Sequence, residues 1–201
     1  VWGNDLGDMT IRGTFGEGAS VAVRDGVVVV PWDHEGDSFV VGLDALTGQE
    51  KWRQPRDEPT AWTTPVFVEV GGAVQAIVAG TNATVAYDLN TGDERWRCGG
   101  MTLNVVPTPI VAHDMVYLIS GFRGAALQAV KYAEAKGDIT GSEVIAWSLD
   151  RGTPYVPSPA LSGTNLYVLR GNNAILTCVD ALTGVEQYVG ERLDAGNVYA
   201  S

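Results

Sequence analysis

The sequence predicts an all-β fold: a β-propeller of four-stranded antiparallel blades, about four of them present. Two observations predict it. The stretch "GLDALTGQEKW" at 42–52 returns as "AYDLNTGDERW" at 86–96, so Asp44 and Asp88, Gly48 and Gly92, and Trp52 and Trp96 each stand 44 residues apart. A second marker runs in step with the first: "TTPV" at 63–66, "PTPI" at 107–110 and "PSPA" at 157–160 each precede an apolar stretch. A repeat of roughly 40 to 50 residues holding four strand-sized segments has the period of a propeller blade.

The units run at about 19–59, 60–104, 105–154 and 155–197, as one partial domain whose ends belong to neighbouring blades. In the first, "GASVA" at 18–22 fills the place of the Thr-Pro marker, and the β-branched run at 27–30 is a strand. The second is the clearest, with strands expected at 65–70, 74–79, 85–88 and 93–97. Its Gly71-Gly72 and Asn90-Thr91-Gly92 are hairpin chemistry, supplying the positive φ that tight turns need. In the third unit, "GAALQAVKYAEAKG" at 124–137 reads as a strand, then a loop with an insertion of about six residues. There "KGDITGSEVIAW" at 136–147 reads as a degenerate copy of the turn, keeping Gly141 and Trp147. The fourth carries "CVDALTGVEQY" at 178–188, with Asp180, Gly184 and Tyr188 at the repeat positions. A parallel α/β array would need a helix of 10 or more residues in each unit, and no such periodicity is present.

Recurrence assigns the repeated residues to architecture. Trp52, Trp96, Trp147 and Tyr188 read as wedges between blades, and the Asp before each Thr-Gly turn reads as an acceptor of turn N–H groups.

These residues resemble the quinoprotein-type, PQQ-like repeat propellers, whose blades carry an Ala-x-Asp-x-x-Thr-Gly-x-x-x-Trp motif. The first two copies match closely, the fourth partly and the third poorly. The family includes both pyrroloquinoline-quinone (PQQ) alcohol dehydrogenases and non-catalytic propellers similar to the lipoprotein of the outer-membrane barrel-assembly machinery. The resemblance implies a ring of seven or eight blades, so the chain is expected to be a fragment whose open blade faces are covered by further blades or a partner. "VWG" at 1–3 resembles the tail of an earlier repeat, and Ala200-Ser201 falls where another Ser-Pro is due. The resemblance also implies an extracytoplasmic location, periplasmic or secreted.

The formal net charge of −11, with no basic run, excludes nucleic acid and anionic lipid as natural partners. No apolar run approaches the roughly 18 to 20 residues of a membrane helix. Cys98 and Cys178 are expected to be unpaired.

Function is therefore sought in what does not repeat. In "DHEGD", Asp33, Glu35 and Asp37 alternate around His34, a pattern able to offer oxygens to Ca²⁺; a solvated hairpin turn is the alternative. Asp33, Glu35, Asp57 and Glu58 are candidate paired carboxylates for glycoside chemistry. Trp62, Asn104, Arg123, Tyr155, Asn172 and Asn173, with the Asp33–Asp37 loop, are expected to form a polar, aromatic-lined binding face. The expected function is a non-catalytic scaffold binding a protein, peptide or glycan, with no cofactor. The alternatives are a PQQ- and Ca²⁺-dependent oxidoreductase, which the resemblance invites although no adjacent Cys-Cys pair is present, and a carbohydrate-active propeller.

Overall fold

The computed structural model describes residues 1–199; Ala200-Ser201, where a further Ser-Pro was due, lies outside them. Seventeen strands form four sheets, preceded by a single turn of 3-10 helix at Arg12–Thr14. The first sheet is β1 (Ala22–Arg24), β2 (Val27–Trp32), β3 (Phe39–Asp44) and β4 (Glu50–Pro55). The second is β5 (Val66–Val70), β6 (Ala73–Val78), β7 (Thr84–Asp88) and β8 (Glu94–Cys98), with β12 (Gly137–Asp138) added at its edge. The third is β9 (Ile110–Ala112), β10 (Met115–Ser120), β11 (Ala126–Val130) and β13 (Ile145–Leu149). The fourth is β14 (Ala160–Ser162), β15 (Asn165–Leu169), β16 (Ile175–Asp180) and β17 (Glu186–Arg192). Within each sheet the four principal strands pair antiparallel in chain order, as blades do.

Alternation along each strand sends successive side chains to opposite faces, so a central blade feeds two cores. In β10, Val116 and Leu118 join Trp96 and Ile77 of the second sheet, whereas Met115, Tyr117 and Ile119 join Leu166 and Val168 of the fourth. Val27, Val29 and Trp52 likewise meet Ala76, Val78 and Tyr87 between the first and second sheets. The outer face of the first sheet, Val28, Val41 and Leu43, is covered by Leu6 of the N-terminal segment. On the last sheet Val185, Tyr188 and Val189 stand exposed.

The third unit departs from the expected alignment. Each turn is closed by a bond from the N–H of the Asp that ends the third strand: Asp44 to Gln49 O, Asp88 to Asp93 O, Asp180 to Val185 O, five residues on in each case. In the third sheet Lys131 N reaches Val144 O, thirteen residues on. The turn therefore begins at Lys131, and Gly141 belongs to an insertion rather than to a copy of the motif. That insertion supplies β12, which pairs parallel with β8.

Candidate functional site

The repeated turn is built the same way three times. The carboxylate of Asp44 accepts from Leu46 N, Thr47 N and Thr47 Oγ1 at 2.8–3.0 Å. Asp180 does the same with Leu182 and Thr183, and Asp88 accepts from Asn90 N, Thr91 N and Arg95. These donors hold Asp44 and Asp180 below the usual carboxylate range, the Thr47 N–H and Thr183 hydroxyl being the largest causes. Gly48, Gly92 and Gly184 share φ +74°, which L side chains rarely adopt, and a Cβ on any of them would lie 2.5–2.7 Å from an indole.

Those indoles belong to the preceding unit. Trp52 lies over Gly92 and donates to Leu89 O at 2.8 Å; Trp147 lies over Gly184 and donates to Ala181 O at 2.9 Å. Trp2 holds the same relation to the first sheet, over Gly48 with Ala45 O at 3.1 Å. Trp96 differs, because the third unit has no such glycine: it is fully buried beside Ala135 and Ile139 and donates to Gln75 Oε1 within its own sheet. Tyr188 is 42% exposed.

The "DHEGD" loop does not gather its acids around one point. Asp33 is 2% exposed and forms a two-pronged ion pair with Arg56, at 2.7 and 3.1 Å; Arg56 Nη1 also donates to Tyr87 Oη at 3.0 Å. Burial alone would drive the proton from Arg56, but the Asp33 carboxylate outweighs it and raises the guanidinium's pKa. Burial raises the Asp33 pKa despite the opposing pull of Arg56. Glu35 turns to a different arginine, Arg12 at 3.1 Å, and accepts from the Thr60 N–H and hydroxyl. His34 Nδ1 accepts from Thr10 N and Gly36 N, which places its proton on Nε2, toward Asp37 O at 3.3 Å. Asp33 and Glu35 are thus engaged by different arginines, and among the described residues no three His, Cys, Asp or Glu side chains are placed to hold a metal ion.

Glu58 is buried, with its carboxylate accepting from Asn82 N at 2.9 Å and Ala83 N at 2.6 Å. Burial raises its pKa despite Arg56. It lines, with Asp37, Asp57 and Arg56, a polar cleft of about 720 Å³ between the first two sheets.

A second concavity, of about 490 Å³, collects three of the residues expected on the binding face: Trp62, Tyr155 and Asn172. Gly18, Val106, Val156 and Tyr199 also line it; Trp62, Val106 and Val156 each stand immediately before the Thr-Pro marker of their unit, and Gly18 lies 44 residues before Trp62. One equivalent position from each unit around a common opening marks the ring axis. Trp62 anchors the rim through Trp62 N to Val105 O and Trp62 Nε1 to Gly16 O, at 2.8 and 3.0 Å, with Phe15 edge-on at 6.4 Å. Tyr155 stacks on Phe122 at 4.7 Å. Val106 and Tyr199 were not among the expected site residues, although the place of Val106 before the marker, shared with Trp62, was a readable signal.

The remaining expectations scatter. Arg123 packs against Phe122, 5.4 Å from its ring centre. Asn104 is 3% exposed, with an unpartnered Oδ1, and so is interior rather than on a binding face. Asn173 lines a separate cleft between the third and fourth sheets.

Meandering four-stranded sheets, cored pairwise and pinned by an indole over the next unit's turn, define a quinoprotein-type, PQQ-like repeat propeller. A family profile described as outer membrane protein assembly factor BamB matches residues 36–199, and the chain belongs to that family. Among solved structures it is similar to BamB from Moraxella catarrhalis, at 19% identity and a TM-score of 0.56 over 85% of this chain and 48% of that one. It is also similar to the quinohemoprotein alcohol dehydrogenase from Comamonas testosteroni, at 17% identity and 0.58 over 90% and 36%. A third likeness is to a europium-containing methanol dehydrogenase, at 10% identity and 0.59 over 88% and 42%. The chain thus spans less than half the length of each. A comparison with curated protein sequences found no match.

The fold family includes PQQ enzymes. PQQ is a tricarboxylate and asks for cations and an aromatic platform beside a Ca²⁺ ligand set. The axial concavity has no Lys or Arg in its lining and one acid, Glu17. Cys98 and Cys178 are unpaired and lie in the second and fourth sheets. The residues lining the axial concavity do not fit PQQ and Ca²⁺.

Proposed function

We propose that this chain is a non-catalytic propeller scaffold, acting outside the cytoplasm, that binds an extended segment of a protein partner through the loop face at the ring axis. The observation that carries the reading is the convergence of Trp62, Tyr155 and Asn172, from three different loops, on one half-open concavity. Aromatic faces offer contact area at little entropic cost, and the Asn172 side chain, whose Oδ1 accepts from Val156 N at 3.1 Å, keeps its amide NH₂ for a peptide carbonyl. The family description, a factor in assembling outer membrane proteins, supports a protein partner over a glycan and an extracytoplasmic place.

Panning a peptide library against the protein, followed by calorimetry, tests this. Selected peptides should bind Trp62→Ala and Tyr155→Ala at least about tenfold more weakly at unchanged melting temperature. A glycan array should stay blank; glycan binding lost in Trp62→Ala would move the site to carbohydrate. Dye reduction with alcohols or sugars in the presence of PQQ and Ca²⁺ would overturn the scaffold reading.

A further inference from the structure

The clefts between successive sheets are related by the repeat, yet their interiors differ. Arg56 and Arg151 each follow the fourth-strand Trp of their sheet by four residues. Arg56 pairs with Asp33, the residue after β2, and is sealed in; the residue after β10 is Gly121, which lines the same cleft as Arg151. A side chain at Gly121 would meet Pro154 O at 2.3 Å, so no carboxylate stands there. Between the second and third sheets the position is Gly100, and Gln128 fills the space, donating to Gly99 O.

The cleft between the third and fourth sheets, of about 520 Å³, therefore keeps an exposed arginine and an open interior. Arg151 uses Nε and Nη2 on Glu186, leaving Nη1 unbonded. Arg170 lines the same cleft, and among the described residues no ion pair or hydrogen bond engages its guanidinium. Thr177, 4% exposed, also lines it, and its hydroxyl has no partner among the described residues. The cognate cleft between the first two sheets is lined by Asp37, Asp57, Glu58 and Glu94, against two arginines that are both paired. On a protein of net charge −11, this cleft holds a guanidinium and a hydroxyl that have no partner among the described residues.

We propose that the cleft between the third and fourth sheets is an oxyanion site that takes a carboxylate or phosphate group of a small ligand. Arg170 and Arg151 Nη1 supply charge-assisted donors, and the Thr177 hydroxyl donates from the floor. The site lies apart from the axial concavity and does not depend on it.

The test is arginine Nε–Hε NMR, titrating the protein separately with inorganic phosphate and with acetate at constant ionic strength. Saturable shifts are expected at Arg170 and Arg151 and not at Arg56, whose buried signal also reports that each variant is folded. Arg170→Gln should weaken binding about tenfold and Thr177→Val about threefold, while Trp62→Ala leaves it unchanged. Whichever anion saturates at lower concentration identifies the group. Shifts that rise linearly without saturating, or that persist unchanged in Arg170→Gln, would overturn the site.

Discussion

Arg56 and Arg151 occupy the same place in their repeats and meet opposite fates. Between the first two sheets, Asp33 receives the guanidinium and both groups vanish from solvent, at 1% and 2% side-chain exposure. Between the third and fourth, Gly121 offers nothing, and Arg151 stays 70% exposed on Glu186. One residue across the cleft thus decides whether the same arginine is a structural bolt or a surface donor. The axial aromatics add a third use of the loop face, apolar where the clefts are polar.

The largest break in this comparison is expected from Arg56→Ala, which strands Asp33 as a buried, uncompensated charge; urea unfolding should show a loss of about 3 to 5 kcal/mol. A loss below about 1 kcal/mol would mean that the first cleft is as wet as the other. Next comes Gly92→Ala, which forces a Cβ into Trp52 at positive φ and should cost about 1 to 3 kcal/mol by the same measurement. Gly141→Ala, in the insertion with nothing within 4 Å of its Cβ, should be milder, limited to the strain of φ +68°.

Smaller again is a pH effect at the N-terminal segment. Glu35 is held below the usual carboxylate range, first by its bond from Arg12 and further by Thr60. Its folded pKa is depressed, so its stabilisation is present above the ordinary value of 4.5 and is lost as pH falls through the folded value. The stability gap between wild type and Glu35→Gln should therefore shrink below about pH 4.5, with earlier amide exchange at residues 10–14. A gap constant from pH 7 to 3 would show that the Arg12–Glu35 latch does not act. The smallest effect is expected from Arg151→Gln, whose ion pair is exposed to solvent, so that its urea midpoint should barely move; its contrast with Arg56→Ala measures what the carboxylate of Asp33 does.

Much of the fold was legible because it is periodic. The second unit's strands were expected at 65–70, 74–79, 85–88 and 93–97 and lie at Val66–Val70, Ala73–Val78, Thr84–Asp88 and Glu94–Cys98. The third unit was misaligned because Lys131 replaces the motif's Asp and no Thr-Gly follows, so the nearest Thr-Gly, inside the insertion, drew the alignment. Strand β12 was invisible, since two residues carry no periodicity and their partner is in another blade.

The candidate site was legible only in part. Trp62, Tyr155 and Asn172 stand at loop positions that the repeat phases onto one end of the ring, and they meet there. Asp33 and Glu35 looked like a paired set because they are adjacent in sequence. Their partners, Arg56 and Arg12, come from either side of the loop by 23 residues each, and nothing local announces them.

What the sequence determined by itself is the repeat, and through it the strand order, the turns and the placing of aromatics between blades, because all of these rest on short-range spacing and steric need. What only the tertiary structure decided is which charges are spent against each other. That depends on the residue across a blade interface, where a carboxylate seals an arginine away and a glycine leaves it facing solvent.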